Sequence, residues 1–464
     1  MCPPEAMDEG LQRRLTSRQV TMIAIGGAIG VGLFLGSTVT INLAGPGVIV
    51  TYVIGAVIAL IMAYALAEMA VVHPEAGAFG VYADRYLSPW LGFLVRATYA
   101  FIQILAIGAE VTAAAIYFGF WFPDAPRWLW VAAVSAGLVG INTANVGRFG
   151  EFEYWFAIIK VVAIVAFITT GLALVVGIGP FPAVGLQNLT SGPGGFLPHG
   201  WTGVWLALTL VITSYMGVEV VAVAAGEVEH PERSIPRAMR TMVGRLIVFY
   251  VLAISVILMM TPWQRIGESG GSVTGSPFVR TFTAIGIPYA AGVMNLVVIT
   301  AALSSANSNL YLTTRMLFSL SRDGYAPRAF SAVSGSGVPL RAVAVASVGM
   351  VAAILLAIYA PARAFLALYG TAVAGMLFIW IVILFTYLQF RRTVPRTILE
   401  RLPLTLPTDR FAAGFGIVAL LAIALTTFFV DGLRYSIPLF VPFLLIMSAA
   451  YLRTRGSARR EVVA

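Results

Sequence analysis

Long apolar runs separated by short polar stretches fill the chain from residue 20 to residue 453. Twelve such segments can be drawn, at 20–40, 46–71, 91–121, 128–146, 152–177, 201–225, 242–262, 289–319, 341–360, 364–389, 411–430 and 434–453. Runs of about 20 apolar residues are what a membrane-crossing helix needs, whereas a membrane barrel alternates over about ten. The pattern therefore predicts an all-α polytopic membrane protein with 12 transmembrane helices. Segments three and eight exceed the bilayer requirement, which predicts tilt.

Two segments break this pattern. In Ile23–Gly36, five of fourteen residues are glycine: Gly26, Gly27, Gly30, Gly32 and Gly36. Each glycine costs up to about 1 kcal/mol of helix propensity relative to alanine. Irregular backbone at membrane depth survives only where protein buries it or a cavity faces it. The stretch Gly26–Gly32 thus reads as a break in helix one, with close helix packing through Gly26 and Gly30 as the competing reading. In segment six, Ser214-Tyr215-Met216-Gly217-Val218-Glu219 is a polar insertion in an apolar run. Segments one to five and six to ten form two sets of five, and an odd-numbered repeat inserts its second copy inverted. Interrupted helices at corresponding places of two halves point to a transporter's binding site.

Composition agrees. Of 464 residues, 59% are hydrophobic and 11% charged, and the mean hydropathy is +0.91. A soluble fold is excluded. The net charge of +9 does not mark a nucleic-acid binder. Of the 29 Lys and Arg, with Arg245, Arg341, Arg434 and Arg453 at segment ends counted with their adjoining loops or termini, 21 lie in the termini and alternate loops, five in the opposite loops and three well within segments. This positive-inside bias predicts a cytoplasmic (inner) membrane protein with both termini in the cytoplasm. Residues 1–18 carry both charge signs and no cleavage signature, so they read as a cytoplasmic tail. The transport core is expected at 19–390 (repeats 19–178 and 201–390). A basic cytoplasmic loop at 391–410, two further helices at 411–453 and a tail at 454–464 complete the chain. Cys2 is the one cysteine, and His73, His199 and His230 lie between apolar runs, so no metal site, disulfide framework or cofactor is expected. No nucleophile–base pair marks an enzyme.

The motifs then become specific. Ile23–Gly36 followed by Ala44-Gly45-Pro46 resembles the first-helix signature of amino acid permeases of the amino acid–polyamine–organocation superfamily. Gly150-Glu151-Phe152-Glu153-Tyr154-Trp155 through Val161 resembles the beginning of that family's helix five. Gly217-Val218-Glu219 and Gly226-Glu227-Val228-Glu229-His230-Pro231 through Ala238 resemble helix six and its loop. Ser304-Ser305-Ala306-Asn307-Ser308 with Thr314-Arg315-Met316-Leu317 resembles helix eight. Bacterial permeases for neutral, aromatic or 4-aminobutyrate-type substrates are the nearest subgroup. Val31 departs from a frequent threonine and His230 from a usual asparagine. The resemblance implies a LeuT-like 5+5 inverted repeat with helices eleven and twelve outside, and substrate between the broken helices. A zwitterion needs donors and acceptors. Amide groups at Gly27, Ala28, Ile29, Gly30, Val31 and Gly32, opening a half-helix, suit its carboxylate. Carbonyls at Ser214, Tyr215, Met216 and Gly217 suit its ammonium. Tyr215 is either an aromatic lid or a packing residue.

Ionisable groups at membrane depth are functional candidates because burying them is costly. Lys160 is the only lysine. The resemblance gives it the place of a sodium ion, and snorkelling to the interface is the alternative. Glu110, in the middle of segment three, carries a proton or serves as a neutral interhelical acid. Glu219 gates or braces the second break. Ser304, Ser305 and Asn307 support the site or pack helices. Glu68 and Glu153 are assigned to the inner gate, or to ion pairs with Arg96 or Arg148. The expected function is import of an amino acid by proton symport with alternating access. An amino acid exchanger or a sodium-coupled symporter is the alternative, and a receptor or channel a distant one. Partners are the amino acid, protons and the lipid bilayer. One copy suffices for this mechanism.

Overall fold

The computed structural model describes residues 29–75, 77–144, 146–178, 183–219, 222, 231–267, 276–285, 289–334, 338–430 and 432–463. Helix is the only regular secondary structure among them. The principal helices are α1 (Ser37–Ala44), α2 (Val48–Val72), α3 (Ala78–Tyr86), α4 (Pro89–Phe118), α5 (Arg127–Ala144), α6 (Val146–Val176), α7 (Gly200–Ser214), α8 (Pro231–Arg245), α9 (Ala253–Met260), α10 (Pro277–Ile285), α11 (Ala290–Arg322), α12 (Val348–Tyr359), α13 (Ala364–Thr393), α14 (Asp409–Thr426) and α15 (Ser436–Val463). Eight helical stretches among the described residues are long and apolar enough to cross a bilayer. All twelve apolar segments are helical over most of their described length. The architecture is that of an α-helical polytopic membrane protein.

Both predicted interruptions have a structural counterpart. Gly26, Gly27 and Ala28 lie outside the described residues. Ile29 and Gly30 are non-helical, and a π-helical turn, Gly32–Gly36, leads into α1. In segment six the helix ends at Ser214, and turns run through Tyr215–Glu219 with Gly217 at φ +95°. That left-handed conformation favours glycine.

Helix α4 lies at the centre, packed against α11, α13 and α12, and α6 packs against α11. Small residues allow the closest approach, as expected where no hydrophobic force drives helices together in lipid. A Cβ on Gly349 would lie 1.8 Å from the Ile104 carbonyl oxygen, so α12 and α4 touch backbone to backbone. Helices α14 and α15 lie outside, and α15 is mostly exposed along its apolar length. Trp155, Val162 and Val176 on α6, Val418 and Leu425 on α14, and Leu445 and Ile446 on α15 are exposed apolar residues. So extensive an apolar surface fits acyl chains and not water.

Some boundaries differ from the hydropathy reading. The loop drawn at 226–241 is helical from Pro231, with Ile235, Ala238, Met239 and Met242 buried and Arg233 and Arg237 exposed. Helix α10 likewise lies in a stretch drawn as loop and buries Phe278 and Phe282. Both are short amphipathic helices, too polar or brief to register as apolar runs. Helix α15 continues through the expected tail to Val463.

Candidate functional site

The two breaks meet at the centre. A Cβ on Gly32 would lie 2.9 Å from the Ser214 Cα and 2.7 Å from the Tyr369 hydroxyl oxygen. A Cβ on Gly30 would lie 2.6 Å from both Glu110 Oε1 and Ser305 Oγ. Glycine at these two places lets the first break press against the second break, α4, α11 and α13 together.

A small cavity of about 40 Å³ lies at this junction. By the one-probe measure it holds about three waters. Its walls include Gly30, Val31 and Gly32 from the first break and Ser214, Met216 and Gly217 from the second. Gln103, Ala106, Ala109 and Glu110 come from α4, Ser305 and Asn309 from α11, and Tyr369 and Ala372 from α13. Gln103, Asn309 and Tyr369 are absent from the sequence-based candidates. Their signal was spacing alone: Gln103 is two helical turns from Glu110, and Asn309 one turn from Ser305, so each shares its partner's face. The Thr213 and Tyr369 hydroxyls are hydrogen-bonded at 2.8 Å.

The buried charges divide into two groups around the first break. On one side the Ser305 hydroxyl donates to Glu110 Oε1 at 2.6 Å, and the Val31 N–H donates to the same oxygen at 3.4 Å. Glu110 Oε2 is buried without a hydrogen-bond partner among the described residues. On the other side Lys160 Nζ donates to the Ile29 carbonyl at 3.3 Å and to Ser304 Oγ at 2.9 Å. Ser304 in turn donates to Glu153 Oε1 at 2.5 Å, and Glu153 lies 4.0 Å from Lys160 Nζ. Snorkelling is ruled out in this arrangement, because the ammonium points inward to the break and is fully buried. Sequence reasoning placed Glu153 at the inner gate or in an ion pair with Arg96 or Arg148, and here it joins the Lys160–Ser304 group instead. It sits seven residues before Lys160, on the same face of α6.

Other candidates take structural places. The Tyr215 hydroxyl donates to the Tyr52 carbonyl at 2.7 Å, and its ring packs between Tyr52 and Tyr250. It does not line the cavity, so in this arrangement it packs the second break against α2, and Met216 and Tyr369 face the cavity instead. Both oxygens of Glu219 accept the Gly217 N–H at 3.1 Å, and the Tyr99 hydroxyl donates to Glu219 at 3.3 Å. That is the bracing reading. Asn307 Oδ1 accepts from Asn142 on α5 at 2.7 Å, away from the cavity.

Nor do the peripheral acids pair as expected. Glu68 accepts from Tyr387 and Arg391, and Arg391 also reaches Asp409. Arg96, fully buried, pairs with Asp323 beyond the end of α11. Arg148 has no described side chain. Among the described residues no His, Cys, Asp and Glu group could hold a metal. His73 is bonded to Tyr86 at 2.6 Å. Burial, with Arg85 nearby, holds its pKa below the usual histidine value.

A cavity between two broken helices, walled by apolar groups with a few polar ones among them, inside an all-helical membrane fold, is now matched by descent. The amino acid permease family model matches residues 19–450. The chain belongs to the amino acid permease family. It is 39% identical over 443 residues to the uncharacterized amino acid permease YtnA of Bacillus subtilis, covering 95% of this chain and 94% of that one. It is 38% identical to the gamma-aminobutyric acid permease of the same organism, covering 92% and 90%. It is also 38% identical to the aromatic amino acid transport protein AroP of Salmonella typhimurium, covering 97% of each. Family membership carries amino acid transport across a membrane, and the relatives are named as permeases and transport proteins.

Proposed function

We propose that this permease imports a neutral amino acid across the cytoplasmic membrane by proton symport and alternating access. It would do so as twelve helices in a five-plus-five inverted repeat, with both termini in the cytoplasm. The observation that carries the coupling is the seat of Lys160. Its ammonium bridges the Ile29 carbonyl at the first break and Ser304 on α11. A covalently attached cation there leaves a sodium ion redundant, and a lysine can lose its charge where sodium cannot. Gain or loss of that proton would tighten or free the contact between α6, α11 and the first break.

The substrate reading rests on the cavity walls. Amides of Ile29–Gly32, with those of Gly27 and Ala28 upstream, would take the carboxylate, and carbonyls of Ser214–Gly217 the ammonium. Ala106, Ala109, Ala372 and Met216, with the uncharged amides of Gln103 and Asn309, leave a neutral surface for the side chain. The names of the relatives span aromatic amino acids, 4-aminobutyrate and, for a probable transporter of Bacillus subtilis, threonine and serine. Lys160→Ala tests the coupling in proteoliposomes. Accumulation driven by an imposed pH gradient is expected to vanish while counterflow persists. Undiminished proton-driven accumulation, or uptake that requires sodium, would overturn the assignment.

A further inference from the structure

The Val31 amide belongs to the stretch proposed to bind the substrate's carboxylate, and it already has a carboxylate partner. Glu110 Oε1 accepts its N–H at 3.4 Å and is anchored by the Ser305 hydroxyl at 2.6 Å. Gly30 beside it has no room for a Cβ against that oxygen, so the carboxyl lies directly on the backbone of the break. The second oxygen is buried and unpartnered among the described residues, and Glu110 forms part of the cavity wall. One carboxyl group therefore sits at the donor that a substrate carboxylate would use.

We propose that Glu110 is an internal competitor of the substrate: its carboxylate holds the Val31 amide, and a substrate carboxylate takes that amide only when Glu110 is protonated. Two carboxylates crowded into one small buried site do not both stay ionised. On binding, Glu110 takes one proton from the solution on the side facing the substrate. It turns its new O–H away from the amide, and the substrate's carboxylate accepts the Val31 N–H. On the far side the substrate leaves, the proton follows it, and Glu110 recaptures the amide. Substrate and proton are thereby linked at one hydrogen-bond donor. The titratable groups that act electrostatically on Glu110 are Lys160 on α6, Tyr369 on α13 and Tyr117 on its own helix. None of these is a second carboxylate.

This inference rests on the reading that the chain carries a carboxylate-bearing substrate. The test uses the full chain with L-phenylalanine, L-threonine and 4-aminobutyrate as probes, and follows KM for uptake against pH. In the wild type KM is expected to rise about tenfold per pH unit above the Glu110 midpoint, because only the protonated fraction binds. In Glu110→Gln the profile is expected to be flat, with pH-driven accumulation lost. A pH-steep KM that survives in Glu110→Gln overturns this inference and leaves proton symport through Lys160 standing. Uptake of none of the three probes by the wild type overturns both. Should the variant fail to fold, the wild type alone decides. A pH-indicator dye with the purified protein is expected to report close to one proton taken up per probe molecule bound above the Glu110 midpoint. Binding without proton uptake overturns the inference.

Discussion

At the scale of single residues, the site depends on atoms that are missing. Gly30 and Gly32 both lack a Cβ where one would collide, but the obstacles differ. At Gly30 they are the ends of side chains, Glu110 Oε1 and Ser305 Oγ, each 2.6 Å away. At Gly32 one obstacle is backbone, the Ser214 Cα at 2.9 Å. Overpacking costs about 1–3 kcal/mol, and more where nothing can move. Gly32→Ala is therefore expected to lower the thermal midpoint in detergent further than Gly30→Ala does. Gly30→Ala should fold, yet lose transport at least tenfold, because its new methyl displaces the Glu110 carboxyl. Equal thermal loss with intact transport in Gly30→Ala would contradict this. The glycines were legible in the sequence because five in fourteen is abnormal for a spanning helix. Tyr369, Gln103 and Asn309 were not, since one polar or aromatic residue on an apolar helix has no distinctive pattern until the site's position is known. Glu153 was misplaced because its distance from the membrane end was weighed, and its shared face with Lys160 was not.

At the scale of elements, a broken helix must replace the hydrogen bonds it gives up. The second break does so with Glu219, whose two oxygens both accept the Gly217 N–H while Tyr99 ties the carboxylate to α4. Glu219→Ala leaves that amide buried without its acceptor, a cost of about 1–3 kcal/mol. Glu219→Gln retains one acceptor oxygen. Thermal unfolding is expected to rank wild type above Glu219→Gln above Glu219→Ala; an alanine variant as stable as the wild type would remove the brace. The long helices were readable because apolar length is a strong signal, and so was the meeting of segments one and six, through their matched interruptions. Helices α3, α8 and α10 were not, because each is a short amphipathic connector whose buried face is narrower than a hydropathy window. Helix α8 shows why. Its Arg233 and Arg237 dilute an apolar stripe that only the 3.6-residue period reveals.

At the scale of the whole molecule, the two ends of the bundle differ. One end, assigned to the cytoplasm by its charge, is tied by Arg96 to Asp323 and by Glu68 through Arg391 to Asp409. The other holds a cavity of about 320 Å³ beside Tyr117, Arg280 and Asn295. Alternating access requires the tied end to open, and Arg96 is the group with most to release. It is fully buried on α4, and it donates to Ser319 on α11 and to the Gly92 carbonyl while pairing with Asp323. Gly80 on α3 is packed on its side chain, where a Cβ would lie 2.2 Å from Arg96 Cγ. One cation thus joins α3, α4 and α11 at the end that would part under the proposed alternating access. Breaking a buried pair from one side costs about 3–5 kcal/mol. Here Asp323 is partly exposed, so the effect belongs at the lower end. Asp323→Asn should therefore shift the population toward the state open at that end. The reporter is Ala106→Cys in the cavity wall, with Cys2, the only native cysteine, replaced by serine. Labelling by a membrane-impermeant thiol reagent in inside-out vesicles is expected to speed up at least tenfold, equivalent to about 1.4 kcal/mol. Arg96→Gln should give the same rise, and the double variant no more than either alone, because both remove one interaction. Unchanged labelling in Asp323→Asn, or additive effects in the pair, would mean that Arg96 and Asp323 do not hold this end shut.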